Sequence, residues 1–206
     1  QKSIGAYVFA LDSDQFIDTD VIEKCVKLMG HKKYDALILR EKSILRKKTL
    51  IGKILAYDRL VINSSKDKDP IFGSSIPRFF TRKSLAGIKW PKTLSILDDA
   101  VLLKEFIKEN RKIGLAQYIY IQHYEVDSLS VFFKKFIRYG KLYIPTMHIS
   151  PDTTIIHSLP RKIYFTKRVF SKPNLLLGLI ILYTIKVLAV LTGITIYLSG
   201  KIFSKD

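Results

Sequence analysis

The stretch Tyr7-Val8-Phe9-Ala10-Leu11-Asp12-Ser13-Asp14 decides how this sequence is read. An apolar run suited to a buried strand ends in two carboxylates separated by one serine. In open α/β sheets, ligands bind beyond the carboxyl ends of the strands, so acids placed there are presented to a ligand. Two carboxylates at a strand end also suit a hard divalent cation that keeps some waters and bridges substrate phosphates. The plain structural alternative is a turn whose aspartates cap the following helix.

Working outward, residues 6–12 read as a central strand, apolar on both faces. Asp18-Thr19-Asp20 opens a helix over 20–29, with Asp20 as N-cap and Glu23 as its capping-box partner. Val21, Cys25, Leu28 and Met29 form its apolar face, and Gly30 stops it. A second strand covers 34–39, and a helix over 49–62 carries Leu50, Ile54, Tyr57 and Val61 in one stripe. Between them, residues 40–48 hold five basic residues and one acid and read as a solvated loop, or as a contact to membrane phosphates. Residues 63–71 read as a surface loop, and Pro77-Arg78-Phe79-Phe80 as an edge strand, where a proline is tolerated.

Asp98 and Asp99 form a second acidic pair. They open a helix with Val101, Leu102, Phe106 and Ile107 inward, closed by Gly114. Acids in a first turn are favoured by the helix dipole, so a purely structural role is available to them. A strand over 115–122 runs into His123-Tyr124-Glu125. Ser128 then caps a helix whose Leu129, Phe132, Phe133 and Phe136 make an aromatic stripe beside Lys134, Lys135, Arg138 and Lys141.

Composition narrows the partners. The chain has 35 Lys+Arg against 18 Asp+Glu, a formal charge of +17, with 48% hydrophobic residues and a mean hydropathy of +0.12. Such a charge favours anionic partners. No nucleic-acid motif is present and the bases track the apolar tail, which argues against a nucleic-acid role. One cysteine, Cys25, excludes an internal disulfide and fits a buried, inert thiol in a reducing compartment. Residues 160–173 alternate bases with aromatics at head-group level. Residues 175–198 then carry one charge, Lys186, over 24 positions, long enough to span a bilayer. A central lysine costs on the order of 3 kcal/mol, which the surrounding Leu, Ile and Val residues offset. Five bases from Arg161 to Lys172 precede the span, and Lys201 and Lys205 follow it. That bias predicts a single-pass membrane protein with its folded part in the cytoplasm.

Leu11-Asp12-Ser13-Asp14, the Asp98-Asp99 pair and Lys135-Phe136-Ile137-Arg138-Tyr139 together resemble family 2 glycosyltransferases with the GT-A fold. The resemblance covers roughly residues 4–143. It implies a partial GT-A-like α/β domain over 1–145, a mixed sheet flanked by helices, without the nucleotide-binding half that precedes the Asp-x-Asp strand in the family. The chain would then be the C-terminal part of a longer protein, with a membrane-interface segment over 146–173 and a transmembrane helix over 174–200. The resemblance further implies inverting sugar transfer from a nucleotide-sugar donor to a lipid-linked or polysaccharide acceptor at the membrane, with Mg²⁺ or Mn²⁺. Asp12 and Asp14 would hold metal and donor diphosphate, and Asp99 with Asp98 would supply the base. Lys135, Arg138 and Tyr139 would close over the donor. The family more often has Glu at the Asp98 position and Trp at the Tyr139 position. Gly73, Arg78 and Arg82 match the family's acceptor-side segment loosely. His123 is the candidate third metal ligand, although a single histidine after a strand is more often structural. The rival expectation is a non-enzymatic, basic membrane protein that binds anionic lipid or a partner subunit.

Overall fold

A computed structural model describes residues 4–64, 76–88, 94, 96–158, 162–170 and 172–203. Gly73 and Lys205 lie outside these, as do the loop expected through residue 71 beyond Ser64 and most of the 160–173 segment's first residues. In chain order the elements are β1 (Tyr7–Phe9), β2 (Gln15–Phe16), α1 (Val21–Lys32), β3 (Ala36–Ile44), α2 (Leu50–Asn63), β4 (Pro77–Thr81), α3 (Arg82–Leu85) and α4 (Asp98–Lys108). They continue with β5 (Ile113–Tyr124), α5 (Leu129–Ile149), α6 (Pro151–Ser158), a 3-10 turn at Lys162–Phe165, α7 (Lys167–Phe170) and α8 (Pro173–Phe203).

The fold is mixed α/β. Its five-stranded sheet runs β1-β4-β3-β5-β2, with β3 and β5 parallel and the other pairs antiparallel. Alternation along the strands divides the core between two faces. Leu37, Leu39, Phe79, Ala116, Ile119 and Ile121 pack against Val21, Cys25 and Met29 of α1. On the other face, Ala36 and Phe80 meet Leu102 and Phe106 of α4, with the two rings 5.4 Å apart. Burying a phenylalanine contributes about 1.5–3 kcal/mol, so Phe106, with Leu102 beside it, anchors α4 to this face.

The first strand departs from expectation. β1 is short and lies at the sheet's edge, where it was expected to be central. β4, expected at an edge, lies between β1 and β3; its Pro77 is the first residue, where the missing N–H matters least. The two edge strands β1 and β2 are joined only by residues 10–14. A chain of that length reaches roughly 20 Å when fully extended, about the width of four strand spacings. Here it also folds into a turn, with the Gln15 N–H donating to Asp12 O at 3.0 Å. The sheet therefore curls, bringing β1 and β2 toward one another across the carboxyl ends of β3 and β5.

Other differences have local causes. Residues 40–44 continue β3 instead of forming a loop, and Arg40 is buried. Gly114 lies inside β5, where a Cβ would stand 2.5 Å from the Tyr34 ring; α4 ends earlier, near Asn110, whose φ is 52°. Asp20 precedes α1 without capping it and pairs with Lys24 at 2.5 Å. Ser128 likewise makes no side-chain cap.

The C-terminal helix α8 is long and apolar enough to cross a membrane, with only 17% of its most apolar window buried within the fold. It packs against α5 and α2. Gly140 of α5 and Gly193 of α8 meet backbone to backbone: a Cβ on Gly193 would lie 2.8 Å from the Gly140 Cα. Gly178 of α8 receives the Ile54 side chain of α2, and a Cβ there would stand 2.7 Å from Ile54 Cδ1.

Candidate functional site

The turn after β1 and the start of α4 converge on one arginine. Arg78, in β4 beside β1, donates to Asp12 Oδ2 at 2.8 Å and Oδ1 at 3.4 Å, a two-pronged contact of the kind guanidinium groups favour. Its Nη2 also stands 3.9 Å from Asp99 Oδ2. Pairing of β1 with β4 sets this geometry, because the Ala10 N–H donates to Arg78 O at 2.8 Å and so holds Asp12 two residues beyond. Asp98 and Asp99 occupy the first turn of α4, after Leu97 in the left-handed conformation (φ 59°). Burial lifts the Asp99 carboxyl above its ordinary value, the charges of Asp98 and Asp12 add to the effect, and Arg78 opposes it. One member of each acidic pair, Asp12 and Asp99, thus meets Arg78, although the pairs are far apart in sequence.

A second group lies beyond it. Arg59 of α2 forms ion pairs with Glu41 of β3 and Glu125 after β5. Glu125 also accepts from Ser43 Oγ at 2.6 Å, and Gln15 Nε2 donates to Glu41 Oε1 at 3.0 Å. Arg59 Nη2 stands 3.0 Å from His123 Nδ1. A guanidinium only donates, so the imidazole accepts from Arg59, whose Nη2 also stands 3.4 Å from Nε2; Nε2 in turn lies 3.5 Å from Asp14 Oδ2. Burial, then the Arg59 charge, hold His123 below its ordinary pKa; Lys135 adds to this, while Asp14 and Glu125 oppose it. Burial works to raise the Glu125 carboxyl, but the hydrogen bonds and charge of Arg59, with Ser43 and His123, prevail and hold it low.

The two arginines share a polar cavity of about 230 Å³, with Glu41, Asp58, Asn63 and Glu125 among its lining. Asn63 fixes the rim, donating from Nδ2 to Glu41 O at 2.6 Å. The cavity thus holds two guanidinium groups, each already paired with carboxylates: Arg78 with Asp12, and Arg59 with Glu41 and the buried Glu125.

The metal set expected from the resemblance does not assemble. Asp12 is engaged by Arg78, Asp14 lies by His123, and both His123 nitrogens face other groups. Among the described residues no group of three His, Cys, Asp or Glu side chains is placed to hold a metal ion. On α5, Arg138 and Lys135 lie over the Tyr139 ring at 5.6 and 5.9 Å. Lys135 reaches the site through its charge on His123; among the described residues that line the cavity, neither Arg138 nor Tyr139 is included.

Arg59, Glu41 and Glu125 were not singled out from sequence. The available signal was a charged pair, Asp58-Arg59, in a helix whose other turns are almost wholly apolar. No family model matches the chain, and no curated protein matches it.

Proposed function

We propose that this chain carries the acceptor-side part of a membrane-anchored glycosyltransferase of the GT-A kind, which moves a sugar from a nucleotide-diphosphate donor to an acceptor held at the membrane. The observation that supports it is the meeting of Asp12 and Asp99 at Arg78, beside a cavity that holds a second arginine. In this reading Arg78 leaves Asp12 for the donor's phosphates, since Arg–phosphate pairs are charge-assisted and two-pronged. Asp99 takes the proton of the acceptor hydroxyl or phosphate. Its raised pKa suits a general base, because affinity for the acceptor's proton rises with pKa. Asp98 sustains that shift by charge. Lys135, Arg138 and Tyr139 would approach the donor only by a movement of α5 or of the donor toward it. The folded part would face the cytoplasm, held by the basic segment ahead of α8.

A divalent ion enters this reading only together with the donor, since one or two carboxylates plus phosphate oxygens commonly complete such a shell. Metal alone should therefore not bind. The test is calorimetric titration of UDP and GDP into the detergent-solubilised chain, with and without Mn²⁺. One nucleotide should bind, Arg78→Met should abolish the binding, and Asp99→Asn should leave it nearly unchanged. No diphosphate binding, with intact binding to anionic vesicles, would overturn the reading in favour of a non-enzymatic membrane protein.

A further inference from the structure

The helix α2 stands between the apolar helix α8 and the cavity, and its two faces touch both. Toward α8 it presents Ile54, seated at Gly178; Asp58 lies between the two faces, in the lining of the cavity and in a small pocket with Tyr183 and Lys186. Toward the sheet it presents Arg59 and Asn63, which line the cavity. A continuous polar chain crosses between them. The Tyr183 hydroxyl of α8 lies 2.6 Å from the Tyr164 hydroxyl, and Tyr164 donates to Asp58 Oδ1 at 2.6 Å. Donation by Tyr164 to Asp58 leaves the Tyr164 oxygen to accept from Tyr183, so the chain runs in one direction. Asp58 is followed directly by Arg59, whose guanidinium is held by Glu41, Glu125 and His123. Tyr57 adds a second tie on the same turn, donating to Val169 O at 3.1 Å.

We propose that Tyr164 and Asp58 are positioning residues: through them the seating of α8 fixes the rotation of α2, and so the place of Arg59 in the cavity. Membrane attachment and the anion site are then coupled, and the site is complete only while α8 is docked. The physical reason is the stiffness of one helical turn. Neighbouring residues on a helix are separated by a fixed angle, so a hydrogen bond that pins Asp58 on one face pins Arg59 on the adjacent one. The 2.6 Å contacts lie in a partly buried setting, where hydrogen bonds are stronger than in water and costly to leave unmade. Lys186, one turn beyond Tyr183, lies over the Tyr183 and Phe136 rings at 4.9 and 5.0 Å and shares a small pocket with Asp58. It thereby ties the same part of α8 to α5.

The inference concerns the regulation of the site proposed above, but its test does not depend on sugar transfer. The full chain, labelled with ¹⁵N arginine in lipid nanodiscs, is observed at the Arg59 Nε–H, which is held by Glu125 and so protected from exchange. Tyr164→Phe, Asp58→Asn and Tyr183→Phe should each shift or broaden that signal, while Leu60→Ala, on an exposed position of α2, should leave it in place. UDP affinity should fall about threefold to tenfold in the same three variants, the effect of one lost hydrogen bond. An unchanged Arg59 signal in Tyr164→Phe and Asp58→Asn would overturn the proposal. Should Tyr164→Phe fail to fold, Tyr183→Phe carries the same test from the membrane side. Should UDP not bind even the unaltered chain, the functional reading fails while the Arg59 signal still decides this one.

Discussion

At the scale of single residues, Arg59 has the most to lose by substitution. It satisfies two carboxylates, Glu41 and Glu125, and the latter side chain is only 5% exposed. Removing one member of a buried ionic group leaves its partners desolvated and unpaired, which costs about 3–5 kcal/mol. Arg59→Leu should destabilise by about that amount in denaturant unfolding, and Glu41→Gln with Glu125→Gln should recover much of the loss in the same background. The group also sets a pH dependence whose sign is fixed. Glu125 is held below its ordinary 4.5, so its stabilisation is present above that value and is lost as pH falls through the lowered one. His123 is held below its ordinary 6.5, so the unfolded chain takes up its proton first and stability begins to fall below that pH. Asp99 acts in the opposite sense: its raised carboxyl is better tolerated protonated, so its contribution improves as pH falls through the raised value. Unfolding free energy measured downward from neutral pH should therefore decline in two steps, with Glu125→Gln removing the lower one. A profile that keeps its lower step in Glu125→Gln would show that another carboxylate carries it.

At the scale of elements, the crossing of α5 and α8 depends on the absence of two side chains. Added methyl groups at Gly140 and Gly193 would meet the backbones of Val190 and Ile137, which no rotamer change can move aside. Gly140→Ala and Gly193→Ala should each force the helices apart at a cost of about 1–3 kcal/mol, seen as a lower melting temperature and faster proteolysis of α8. Gly30→Ala should have no such effect, since nothing lies within 4 Å of its added carbon. This crossing was not legible in the sequence, where both glycines look like ordinary members of apolar helices; their meaning depends on a neighbour distant in the chain. Most helices and strands were legible, because periods of 3.6 and 2 reflect burial on one face or both. The order of the strands was not. Tyr7-Val8-Phe9 has the composition of a central strand, yet it packs its rings on Phe79 at an edge (Tyr7 at 5.3 Å, Phe9 at 5.4 Å). Aromatic contact along an edge and burial on both faces select the same residues. The site was half legible for a similar reason. Carboxylates at element ends, such as Asp12 and Asp99, stand out in a sequence, while Arg59 lies mid-helix and gains its role only where β3 and β5 bring Glu41 and Glu125 to it.

At the scale of the whole molecule, the depth of α8 follows from its neighbours. A helix from Pro173 to Phe203 is about 46 Å long at 1.5 Å per residue, more than the roughly 30 Å of a bilayer's hydrocarbon core. Its first turns are docked on α2 at Gly178 and Leu179, and its middle runs beside α5, where Phe136 meets Lys186 and Gly140 meets Gly193. The opposite side of α5 exposes Lys134, Arg138 and Lys141, and each such charge at mid-membrane would cost on the order of 3 kcal/mol. Those three residues therefore belong at the phosphate level, with their stems reaching up past α8. For insertion of α8 into a bilayer, the pairing predicts the direction of entry: Leu177 shallow, and Ile196 and Leu198, exposed on the fold, in hydrocarbon. Nitroxide labels at 177, 134 and 198, read by contrasting oxygen and nickel-complex accessibility in nanodiscs, should show depth rising in that order. Equal depth at 177 and 198 would mean that the helix lies along the surface. In that case α5 and α8 would form one interfacial pair, with Lys134, Arg138 and Lys141 of α5 meeting lipid head groups along it.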